Sequence, residues 1–125
     1  MAPYLVLLVA ALFALMGVAA LTRPESILAY FGTATLTRDG RNEVRAVYGG
    51  FGLAIAGLLC AARFDEAIRS GAVLAVAVAL LGMAAGRLIS VPLDGAPGRY
   101  PWVFLGVELS GAGMLLGALQ AWVPA

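Results

Sequence analysis

RNEVRAVYGGFGLAIAGLLCAA, residues 41–62, decides how this chain folds. From Ala46 to Ala62 the stretch carries no charge, and with its first turn it reaches the roughly 20 residues a helix needs to cross a bilayer. Glu43 and Arg45 stand just ahead of the apolar run. Ionisable groups in hydrocarbon cost about 2.5–3.5 kcal/mol each at a helix centre and less near an end. A charge kept in such a place is therefore a candidate for function.

The helical phase of the stretch separates two arcs. At about 100° per residue, Val44, Val47, Tyr48, Phe51, Ile55, Leu58 and Leu59 fall together on a bulky side. Arg45, Ala46, Gly49, Gly50, Gly52, Ala56 and Gly57 fall on the other. Bulky side chains suit lipid tails, and small ones let helices approach closely. The phase thus predicts that Gly49, Gly50 and Gly52 face another helix and that Arg45 points into a bundle. Cys60 is expected to be a small packing residue.

The composition agrees with a membrane setting. The chain of 125 residues is 62% apolar and only 12% charged, too little charge to cover a water-soluble surface, and one domain is expected. A net charge of +1 gives no electrostatic case for nucleic acid. With no histidine and a single cysteine, C-x-x-C redox sites, zinc ribbons, His-ligated haem and di-iron carboxylate–His sites are excluded. No metal and no cofactor are expected.

Three more apolar runs flank the first, giving spans of about 4–21, 42–62, 71–91 and 102–123. The run from Tyr4 to Leu21 has a small-residue end at Val18-Ala19-Ala20 resembling a cleavage site, but no cation precedes it, so a retained helix is expected. Thr22-Arg23-Pro24-Glu25 has capping-box spacing, and Ser26–Phe31 is too short to span, which predicts a short interfacial helix. Thr33–Arg41 and Arg63–Ser70 read as polar loops. Pro92 is expected to end the third span, and Trp122 with Pro124 to close the fourth. Gly82 and Gly86 in the third span, and Gly106, Gly113 and Gly117 in the fourth, form small-residue stripes expected to pack helix on helix. The fold class is all-α, a four-helix transmembrane bundle.

With four spans, the start of the second, the end of the third and the start of the fourth share one side of the membrane. Glu43, Arg45, Tyr48, Arg87, Ser90, Asp94 and Glu108 then fall in one leaflet. Two arginines and three carboxylates there can neutralise one another. The expectation is one network of Arg45, Arg87 and Glu108 with Asp94 or Glu43 at its rim. That side also holds most of the arginines, so the positive-inside rule would make it cytoplasmic.

RNEVRAVYGGFGLAIAGLL at 41–59, LLGMAAGRLISVPLDG at 80–95 and the acid of the fourth span carry a resemblance. They resemble a bacterial family of small four-helix membrane proteins known only as a domain of unknown function, similar in layout to the DoxX-like membrane proteins. The resemblance implies four transmembrane helices and a bacterial inner-membrane location. It implies no activity, substrate or cofactor.

Three functions fit the residues. The charge cluster would bind a small amphipathic ligand, such as a quinone or lipid-like molecule, by its arginines. Alternatively the small-residue stripes would pack against other membrane subunits or a second copy, making the protein an accessory or scaffold subunit. An acid–base enzyme using Glu43 or Glu108 is the third reading, and without histidine, metal ligands or a nucleophile motif it has the least behind it.

Overall fold

The computed structural model describes residues 2–33 and 35–122. The described residues are all-α: α1 (Ala2–Thr22), α2 (Pro24–Ala29), α3 (Arg38–Val44), a π-helical turn (Arg45–Gly50), α4 (Phe51–Phe64), α5 (Glu66–Asp94) and α6 (Arg99–Trp122). The helix α3, the π turn and α4 run on as one 27-residue rod, Arg38–Phe64. That rod, α1, α5 and α6 make four helices long and apolar enough to cross a membrane. Val123, the expected last residue of the fourth span, and Pro124, expected with Trp122 to close it, lie outside the described residues.

The helices form a ring in which α1 packs on α4 and α6, and α5 packs on α4 and α6. Val6, Val9, Leu59, Val73, Leu80 and Leu115 fill its centre, and the first two, Leu59, Val73 and Leu115 are buried almost completely. Outward faces carry Leu8, Leu15, Phe51, Val78, Ile89 and Leu109, the mark of a surface that meets lipid rather than water.

The helices reach beyond the apolar runs because polar residues extend and cap them. The Thr37 hydroxyl accepts from the Gly40 N–H at 3.0 Å and starts α3 inside the stretch read as a loop. The Asp65 carboxylate accepts from the Ala67 N–H at 2.9 Å, so Glu66–Ser70 is the opening of α5. Arg69 closes the same corner from the other side. Its Nε donates to the Ala62 carbonyl at 2.9 Å and its Nη2 to that of Arg63 at 2.7 Å, using two of the carbonyls orphaned at the end of α4. Pro92 lies in the last turn of α5 and the helix continues to Asp94, where Gly95 at φ +89° ends it. The expected capping box is not formed. Thr22 is still part of α1, and its hydroxyl donates back to the Val18 carbonyl at 2.8 Å.

The phase expected for the second span holds in part, and the π turn explains one departure. A π turn takes up about one more residue than an α turn, so side chains before it rotate relative to those after it. Val44, assigned to the lipid side, is 4% exposed. Gly49 within the turn, and Gly52 and Ala56 beyond it, are buried as expected, and Phe51 faces out. Leu59, assigned to the bulky lipid side, is fully buried, and Gly50, Gly57 and Cys60 face out, all against expectation, because the buried arc centres on Gly52 and Leu59 where the two arcs meet.

Glycine matters most where α1 crosses this rod. A Cβ on Gly17 would stand 2.9 Å from the Gly49 carbonyl oxygen, and one on Gly52 would stand 3.0 Å from that of Phe13. The backbones themselves touch there. Gly82, Gly86, Gly106, Gly113 and Gly117 are different: a Cβ on any of them would meet nothing within 4 Å. Their stripes face outward, and the packing expected of them within the bundle does not occur.

Candidate functional site

The site is built where the end of α5 meets the start of α6. Seven residues of α5 follow Arg87, which puts it about 10 Å from that helix end. Glu108 lies about 13 Å into α6, a helix some 36 Å long, so the carboxylate sits at hydrocarbon depth. It is 4% exposed, and no other polar or charged side chain is as buried among the described residues.

Arg87 neutralises it. The Arg87 Nε donates to both Glu108 oxygens, at 2.9 Å and 2.8 Å, and Nη2 stands 2.8 Å from Oε1. One edge of the guanidinium thus faces the carboxylate. Nη1 has no hydrogen-bond partner among the described residues. Two adjacent aromatic rings lie to one side of the group, with Cζ 5.8 Å from the Phe31 centroid and 5.7 Å from that of Phe104. Those two rings are 5.3 Å apart, and Tyr30 packs edge-on against Tyr100 at 5.0 Å. The short segment after α2 thereby covers the pair. It is tied down by the Glu25–Arg41 ion pair at 3.5 Å.

A groove of about 310 Å³ opens beside the pair, lined by Gly86, Arg87, Ser90, Pro101, Trp102 and Leu105. The polar side chains of its lining are those of Arg87 and Ser90, with the indole N–H of Trp102. An apolar cleft of about 250 Å³ lies further along α5, between Phe51, Ile55 and Leu58 on one wall and Ala75, Ala79 and Met83 on the other.

The expected seven-residue cluster is therefore reduced to a pair and its rim. Arg87 and Glu108 meet, and Ser90 lines the groove next to them. Arg45 does not join them. Its Nε donates to the Leu21 carbonyl at 2.9 Å, capping the end of α1, and among the described residues it makes no ion pair. Glu43 and Asp94 are exposed and, among the described residues, bond to no cation. Tyr48 is half-buried on the π turn, and its hydroxyl makes no hydrogen bond among the described residues. Sequence reasoning missed Phe31 and Phe104 as partners of Arg87, and Gly17 as a contact glycine. Aromatic residues near a lone intramembrane arginine were the available signal for the first two.

The fold defines a four-helix membrane protein, and where α5 meets α6 it holds an ion pair whose carboxylate is buried. The chain belongs to the family described as Domain of unknown function (DUF4345), whose sequence model matches residues 2–119. No curated protein and no solved structure matches it.

Proposed function

We propose that this protein binds a small amphipathic molecule in the bilayer, its polar head at Arg87 and Ser90 and its apolar body against α5 and α6. The observation that carries this reading is the half-used guanidinium. Glu108 on one edge and a pair of adjacent rings hold Arg87, and Nη1 has no partner among the described residues on a residue that lines a groove. A purely structural ion pair at this depth gains by burying every donor. Trp102, Pro101 and Leu105 supply the apolar contact that bundle sites use. A bacterial inner membrane is the location that goes with this reading.

Gly86→Leu tests it. The glycine lines the groove and a Cβ there meets no atom, so the variant fills the groove without straining the bundle. Native mass spectrometry of wild-type protein extracted in mild detergent should find a retained small amphiphile, and Gly86→Leu should lose it at an unchanged melting temperature. Equal retention by both, or none by the wild type, would contradict the reading.

A second reading has its own observation. Gly106, Gly113 and Gly117 form an outward stripe on α6 with nothing against it, the kind of surface on which another transmembrane helix packs. An accessory role beside other membrane subunits, or a homo-oligomer, would use that stripe. Recovery of the protein only together with other subunits is the result that favours it.

A further inference from the structure

Resting on the ligand reading above, we infer that the head held at Arg87 is an uncharged, carbonyl-bearing group and that its tail follows α5 toward the apolar cleft. An anion is the obvious guest for an arginine, and here the charge balance opposes it. Glu108 already compensates Arg87 at 2.8 Å. A carboxylate or phosphate on Nη1 would leave a net negative charge at hydrocarbon depth, with Glu108 repelling it from the far side of the same guanidinium. A carbonyl oxygen takes the hydrogen bond and adds no charge. The side chains lining the groove include three donors, those of Arg87, Ser90 and Trp102, and no acidic one.

The path of the tail is set by helix register. Ala75, Ala79 and Met83 in the cleft, and Gly86 and Ser90 in the groove, follow one another at steps of three and four residues along one side of α5, with Arg87 next to Gly86. Met83 and Gly86 are less than a turn apart. Gly86 has open space where a side chain would stand, so nothing at that position bars a chain from crossing. The cleft presents only apolar side chains, which suits an alkyl or isoprenoid tail.

The test uses three probes with ten-carbon tails: a decyl-substituted benzoquinone, monodecanoylglycerol and decanoate at pH 8. The full chain carries Trp122→Phe, which leaves Trp102 in the groove as the sole tryptophan. Trp102 emission is titrated in detergent, with Gly86→Leu as the blank for partitioning into micelles. At least one carbonyl probe should saturate and bind at least tenfold more tightly than decanoate. Quinone over glycerol ester would identify a ring carbonyl as the head, and the reverse order an ester. Ser90→Ala should weaken the preferred probe severalfold at an unchanged melting temperature, since Ser90 is exposed. Ala79→Phe should weaken it as well, while leaving an analogue with a two-carbon tail unaffected. A preference below tenfold, or tighter binding of decanoate, overturns the uncharged head and leaves the ligand reading standing. No saturable probe at all overturns both.

Discussion

Arg87 and Glu108, on successive helices, meet through three contacts of 2.8–2.9 Å, and the carboxylate has almost no access to the surface. Removing one member of a buried pair leaves the other uncompensated, which typically costs about 3–5 kcal/mol. Glu108→Leu and Arg87→Met should each lower stability by that order. The double variant should recover most of the loss, because two apolar side chains replace a neutral pair. Unfolding in one detergent, analysed as a double-mutant cycle, measures it, and additive losses would mean that the two residues are not coupled.

Arg45 and Arg87 should behave as different kinds of arginine. Arg45→Met removes one exposed hydrogen bond to the end of α1, worth about 1 kcal/mol. Its expected signature is faster amide exchange in the last turn of α1, with ligand retention unchanged. Loss of the retained amphiphile from the Arg45 variant would return that residue to the site.

The glycines should divide by what a Cβ would meet. Gly17→Ala and Gly52→Ala press on backbone atoms, so they should cost about 1–3 kcal/mol by overpacking. Gly49→Ala presses first on the side chain of Leu21, which can turn away, and should cost less. Gly113→Ala and Gly117→Ala face open space and should be neutral or stabilise by up to about 1 kcal/mol through helix propensity. Melting temperatures across this series check the ordering. A large loss at Gly113 or Gly117 would place another helix against α6.

The spans were legible because an apolar run of membrane length admits few folds, and the topology alone brought Arg87 and Glu108 to one leaflet. What stayed hidden has three physical causes. Arg45 is satisfied by a backbone carbonyl, and the sequence shows only side-chain partners for a charge. The π turn at Arg45–Gly50 shifts the helical phase, so a constant angular step assigns Val44 to the wrong side. Finally, a glycine stripe reads the same whether it faces protein or lipid, and of the glycines expected to pack, Gly49 and Gly52 are the ones that meet another helix.

Phe31 should matter to the site more than to the fold. It is partly exposed, yet its ring lies on the Arg87 guanidinium. Phe31→Ala should cost about 1 kcal/mol of stability while loosening the arginine enough to weaken ligand retention. Phe31→Leu keeps the apolar cover without the ring and should fall between. Retention identical across wild type, Leu and Ala would mean that the aromatic cover has no part in holding the head.

The most direct measurement is a density map of the protein extracted from its own membrane without delipidation. The account predicts elongated density within hydrogen-bond reach of Arg87 Nη1 and Ser90 Oγ, continuing past Gly86 toward Met83, with the Arg87–Glu108 contacts intact. A groove closed by side chains, with Nη1 turned onto a protein group, would contradict it.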